Sequence, residues 1–172
     1  MIKMVGGMFI IGATTLLGMK RASEIQDQYI QTQYLQKLIY MLRSEIFYAR
    51  SCLGEAFLRI GTSCEEPYKQ WLLTIRSQMG QRGGETFPMI WKESTQKCLR
   101  YAGLPSEARK QLLSLGGQLG IADIEMQVKN LDLFLAELNL TMEDMREGMK
   151  AKVRLYHCLG VMSGIFITVL LV

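Results

Sequence analysis

The sequence predicts an all-α protein: a cytoplasmic bundle of five to six helices, flanked by an N-terminal and a C-terminal transmembrane helix. Three observations predict it. Charge is segregated, with 19 of the 20 Lys and Arg residues between Lys20 and Arg154 and all 16 Asp and Glu residues between Glu24 and Glu147. The two ends are apolar, and neither Gly6–Met19 nor Leu159–Val172 carries a charge. Between them, apolar residues recur every three or four positions, which is helical spacing, and no strand alternation competes with it. The expected organisation is an anchor at 1–19, a bundle at 20–154 and a tail helix at 155–172. A middle of roughly 120 residues is enough to bury a proper core.

The first element is MVGGMFIIGATTLLGM, Met4–Met19, with Lys3 before it and Lys20-Arg21 after it. A spanning helix needs about 20 residues, with about 17 as the lower bound. Met1–Met19 reaches that length if Lys3 extends along the helix to the interface. A cleaved signal peptide is the rival. It would have a more basic start and a small-residue cleavage site, and no A-x-A precedes Lys20. A retained anchor is therefore expected.

The bundle elements follow in order. Leu35, Leu38, Ile39, Leu42, Ile46 and Ala49 share one helical face, with Arg43 and Arg50 off it. Ser63-x-x-Glu66 reads as a capping box, with Pro67 in the first turn of a helix through Met79. Gly80 and Gly83-Gly84 punctuate. A helix starts near Thr86 with Pro88 early in it and runs to about Tyr101. Gly103–Pro105 breaks the chain again before a helix through Leu119. The last element starts near Asp123, and its seam begins at Ile121. Ile121, Ile124, Val128, Leu131, Leu135, Leu138, Met142, Met145 and Met149 step by threes and fours, about four heptads of a/d spacing. The first half is expected to face its own bundle, and the Met-rich half to pack on the helix leaving the first anchor. Pairing with a second copy is the alternative. Gly148 weakens the helix locally.

No proline separates this seam from Leu155–Val172, which spans roughly 27 Å at about 1.5 Å per residue. Tyr156 and His157 suit an interface, and the residues beyond them are apolar or small. Gly160 and Gly164 form a GxxxG that permits close approach of helices in lipid, against the first helix or a second copy. Lys20, Arg21, Arg146, Lys150, Lys152 and Arg154 flank the middle, with Lys3 outside, so the middle is expected to be cytoplasmic.

Several chemistries are not expected. His157 is the sole histidine, which removes histidine-rich metal sites, HExxH and a Ser-His-Asp triad. Cys52, Cys64, Cys98 and Cys158 form no CxxC pair and read as buried, reduced thiols rather than a disulfide framework or zinc site. There is no P-loop. Gly116, Gly117 and Gly120, in LLSLGGQLGIAD, suit tight helix packing or a cap better than a phosphate cradle. The carboxylates Glu45, Glu55, Asp123, Glu125 and Asp132 show no spacing for acid–base work. The slight basic excess is too weak for nucleic acid. No enzyme activity, cofactor or metal is expected.

Three stretches carry a resemblance: LRSEIFYARSCLGEAFLRI (Leu42–Ile60), LLSLGGQLGIADIEMQVKNL (Leu112–Leu131) and KVRLYHCLGVMSGIFITVLLV at the end. In order and spacing they resemble the stage III sporulation protein AB family of endospore-forming bacteria, over almost the whole chain. The second resembles the family's L-x-x-x-G-x-x-L-G-x-x-D-x-x-x-Q pattern, here Leu112, Gly116, Leu119, Gly120, Asp123 and Gln127. The first resembles its E-I-x-Y segment, here Glu45, Ile46 and Tyr48. Cys52 departs from the pattern, standing where many members carry proline. The family is similar in turn to the six-helix cytoplasmic F domain of type II secretion and type IV pilus platform proteins. The resemblance implies an inner-membrane platform in the mother cell, in the channel joining it to the forespore. It implies as partners a secretion-type ATPase, stage III sporulation protein AA, and other membrane subunits of that channel. Glu45, Glu55, Gly116, Gly120, Asp123 and Gln127 are the candidate structural or partner-binding residues. Glycines would permit close packing, and Asp123 would cap the last helix by accepting backbone N–H bonds.

Overall fold

The apolar stripes of the middle become the inner faces of helices. The computed structural model describes residues 2–81, 86–120 and 123–171, except for the side chains at 2–5, 7–11, 170 and 171. Among these residues are six helices and no strand: α1 Ile2–Phe47, α2 Leu53–Ser63, α3 Tyr68–Met79, α4 Phe87–Cys98, α5 Ser106–Leu119 and α6 Ile124–Leu171. Gly83, Gly84 and Ile121, and the side chains that open the expected first anchor and close the expected tail helix, lie outside the described residues. The chain divides into two units, one of residues 30–142 and one of residues 1–29 with 143–172.

The first unit is the bundle. Leu35, Leu38, Ile39, Leu42 and Ile46 of α1 are all buried, and so are Val128, Leu131, Leu135, Leu138 and Met142 of α6. The seam of α6 is therefore taken up by the core of its own bundle from Val128 to Leu138, joined by Phe134, whereas Ile124 is exposed and Met145 and Met149 are half-buried in the other unit. Four aromatic side chains fill the space between α2, α3 and α4. Trp91 lies 5.0 Å from Trp71, 5.8 Å from Phe87 and 6.0 Å from Phe57 by ring centroids. Buried indoles need a partner for their N–H, and both have one. Trp71 donates to Thr95 Oγ1 at 3.1 Å and Trp91 to the Leu112 carbonyl at 2.8 Å. Tyr68 donates to Gln31 Oε1 at 3.1 Å, and burial raises its hydroxyl pKa above the usual tyrosine value. Arg109 Nη2 reaches the carbonyls of Arg100 and Leu104 and so ties the α4–α5 connection.

Four expectations are corrected. Ser63-x-x-Glu66 is not a capping box. Ser63 is the last residue of α2 and its hydroxyl donates back to the Arg59 carbonyl. Pro67 stands just before α3, and Glu66 alone reaches into it, its Oε2 accepting the Gln70 N–H at 3.2 Å. Ala49 is exposed beyond the end of α1, because the chain turns after Phe47. The helix expected to reach Tyr101 ends at Cys98. Of the four cysteines, all free, only Cys64 is buried, while Cys52 and Cys158 are exposed.

The second unit is an antiparallel pair made by the start of α1 and the end of α6. Its closest approach is backbone on backbone. A Cβ added at Gly18 would lie 2.6 Å from the Tyr156 carbonyl oxygen and 3.2 Å from Gly160 Cα. One added at Gly160 would lie 2.9 Å from the Thr14 carbonyl oxygen. Gly164, one turn on, is also buried. Outward from this contact stand exposed apolar side chains, among them Leu16, Leu17, Leu159, Met162, Phe166 and Val169. Among the described residues no helix is long and apolar enough to cross a membrane.

Candidate functional site

The six candidate residues fall at one end of the bundle, where α1, α3 and α5 finish and α2, α4 and α6 begin. Contacts across this end define it. Gly54 at the start of α2 lies under the Arg76 side chain near the end of α3, 3.3 Å from its Cδ to a built Cβ. Phe57 stacks parallel to Phe87 at 6.3 Å. Phe87 and Trp91 of α4 in turn sit on the glycines of α5.

Gly116 and Gly120 are spaced one helical turn apart, and so are Trp91 and Phe87. A Cβ at Gly116 would meet the Trp91 ring at 2.1 Å, and one at Gly120 would meet Phe87 Cδ1 at 2.7 Å. Each glycine thus seats one aromatic ring against bare backbone. The Trp91 N–H bonds the Leu112 carbonyl in the turn before Gly116. Gly117 points into open space.

Asp123 precedes α6. Its Oδ1 accepts the Met126 N–H at 2.8 Å, and its carbonyl accepts the Gln127 N–H at 2.9 Å. This is the N-cap arrangement, which satisfies a donor that the helix itself cannot. Gln127 is half-buried in the first turn, beside the buried Val128. Asn130 Nδ2 ties the same region to the Gln118 carbonyl of α5 at 3.0 Å.

Glu45 and Glu55 come together through Arg59. The guanidinium is 3.4 Å from Glu45 Oε2 and 2.9 Å from Glu55 Oε1. Ser51 Oγ adds a bond to Glu45 Oε2 at 3.3 Å. The guanidinium between the two carboxylates ties the end of α1 to the first turn of α2 and so clamps the α1–α2 turn. Arg50 has φ 48°, in the left-handed region that L-residues seldom adopt. That turn lets the Ser51 N–H reach the Glu45 carbonyl at 3.2 Å.

Residues outside the six candidates complete this end. Arg43 forms a two-point ion pair with Asp132 of α6, with Nη2 3.0 Å from Oδ2. The bond to Asp132 raises the guanidinium pKa further above its ordinary value. Arg43 also lies 5.6 Å from the Phe47 ring centroid, and Phe47 meets Tyr48 edge-on at 4.8 Å. Phe47 and Tyr48 are nonetheless 48% and 75% exposed. Exposed tyrosine and arginine together are the side chains that dominate protein interfaces. The one available signal was the Glu55–Arg59 spacing of four. Among the described residues no group of His, Cys, Asp or Glu is placed to hold a metal ion. What this end offers is a shaped, charged and aromatic surface.

The family described as stage III sporulation protein AB matches the chain over residues 3–172. The chain is similar to the stage III sporulation protein AB of Bacillus subtilis (strain 168), 25% identical over 171 residues that cover 99% of each protein. It is also similar in fold to a solved structure of stage III sporulation protein AB. There the TM-score is 0.64 at 22% identity, over 72% of this chain and 97% of that one.

Proposed function

This chain belongs to the stage III sporulation protein AB family, and from that membership we propose that it serves endospore formation as a non-enzymatic platform in the mother-cell membrane. In this reading residues 1–19 and 155–172 cross the membrane and the bundle lies in the cytoplasm. There its turn-bearing end receives a secretion-type ATPase, stage III sporulation protein AA. Other membrane subunits of the channel to the forespore assemble with the paired helices.

The observation that carries the reading is the contrast between the two units. In the bundle the large side chains turn inward on a closed core. Among the described residues of the pair 1–29 with 143–172 the innermost are the small Gly18, Ala22, Gly160 and Gly164, and large apolar side chains such as Leu16, Leu17, Met162 and Phe166 are exposed. A helix apolar on its outer faces is suited to lipid. The described apolar part of α6, residues 155–169, is shorter than the roughly 20 residues a crossing takes. At the bundle end, Arg43, Phe47, Tyr48, Glu45, Glu55 and Arg59 supply polar, aromatic and charged groups but no reactive pair, which suits docking. A second copy pairing along the first half of the α6 seam is disfavoured, because Val128, Leu131, Leu135, Leu138 and Met142 are already buried.

The test is co-purification of the tagged full-length chain from sporulating cells in mild detergent. The ATPase and channel subunits are expected with it. The double variant Tyr48→Ala/Arg59→Glu should lose the ATPase while keeping the membrane subunits. Recovery of the chain alone, under conditions that preserve the channel, overturns the platform reading.

A further inference from the structure

We propose that a collar of basic side chains around the paired helices binds the headgroups of anionic phospholipids. The inference rests on the membrane reading of this unit. Gly160 packs on Thr14 and Gly18, and Gly18 packs on Tyr156 and Gly160. The helices are therefore antiparallel, and this contact fixes their register. Beyond it Lys20 and Arg21 of α1 come first, near the level of Tyr156 and Leu155, and Arg154, Lys152 and Lys150 of α6 follow over the next two turns, opposite Ala22, Glu24 and Gln26. All five side chains are exposed.

Basic charge dominates this level, with five Lys and Arg side chains against Glu24 and Asp27 of α1. No acidic residue occurs before Glu24 or after Glu147. Arg21 is paired with Glu24 at 2.8 Å. Among the described residues Lys20, Lys150, Lys152 and Arg154 have no ion-pair partner. Four unpaired cations thus ring the hairpin where its exposed apolar side chains begin, with Leu17 and Met19 on one helix and Leu155 and Leu159 on the other. A soluble polyanion would have to sit against that apolar belt to reach them. A lipid places its phosphate at the level of the collar and its chains along the belt, so one molecule matches both features. Ammonium and guanidinium groups bind phosphate oxygens by charge-assisted hydrogen bonds, and basic clusters beside a membrane helix attract anionic lipid.

The test uses the full-length chain reconstituted in phosphatidylcholine bilayers that carry a trace of spin-labelled phosphatidylglycerol or spin-labelled phosphatidylcholine. The reading is the fraction of each label immobilised by the protein. Phosphatidylglycerol should be preferred about fivefold at low salt, falling towards parity at about 1 M salt. The variant Lys20→Gln/Lys150→Gln/Lys152→Gln/Arg154→Gln should immobilise both labels equally. The variant Lys20→Arg/Lys150→Arg/Lys152→Arg, which keeps the charge, should keep the preference. Equal immobilisation by the unaltered chain, or a preference that survives the glutamine variant, overturns the collar while leaving the membrane reading intact. Immobilisation of neither label, with failure to float with the vesicles, overturns both.

Discussion

Position 116 admits no side chain because the Trp91 ring already fills the space, whereas a Cβ at position 117 would meet nothing within 4 Å. The two adjacent glycines therefore answer the same substitution in opposite directions. Gly116→Ala should destabilise the bundle by about 1–3 kcal/mol, since either the indole or the α5 backbone must shift. Gly117→Ala should stabilise it by about 0.5–1 kcal/mol, since alanine removes backbone freedom from the unfolded chain at no steric cost. Urea unfolding of the full-length chain, followed by tryptophan fluorescence, distinguishes them. Equal effects at the two sites would show that the ring does not rest on Gly116. That some glycine of LLSLGGQLGIAD packs tightly was legible in the sequence. Which one packs, and against what, was not, because the ring comes from a helix about 25 residues upstream, and only the register of the two helices pairs Phe87 and Trp91 with Gly120 and Gly116.

At the scale of the element, α6 starts where its first acceptor stands. Asp123→Ala should cost about 1 kcal/mol by leaving the Met126 N–H unsatisfied, and Asp123→Asn should recover most of it. The same urea titration reads both, and indifference to alanine would remove Asp123 from the cap. The start of α6 and the face of its seam were legible because caps and three–four spacing are local patterns. What filled the seam was not, since the same spacing serves an intramolecular core and a coiled coil equally. The α1–α2 turn was obscure for a different reason. The left-handed residue there is Arg50, so neither glycine nor asparagine marks the break. Ser63 shows the converse error. Its spacing from Glu66 fits a capping box, but α2 extends far enough to include it.

At the scale of the whole molecule, residues 30–142 hold a complete core. That segment alone should sediment as a folded monomer at concentrations of about 100 μM, well above the range where a stable seam dimer would associate. A dimer broken by Leu131→Glu with the helix content retained would contradict the burial of the seam. The other unit depends on residues from the two ends of the sequence. Gly18 is made roughly 140 residues before its partner Gly160, some ten to thirty seconds at about 5–20 residues per second. For all of that interval the first helix has no α6 to lie against. It must persist without its packing partner until Gly160 has been made and the clasp can close. Truncations that spare the bundle but remove the end of α6 would leave the nascent N-terminal segment permanently in that solitary state, exposed to quality-control proteolysis.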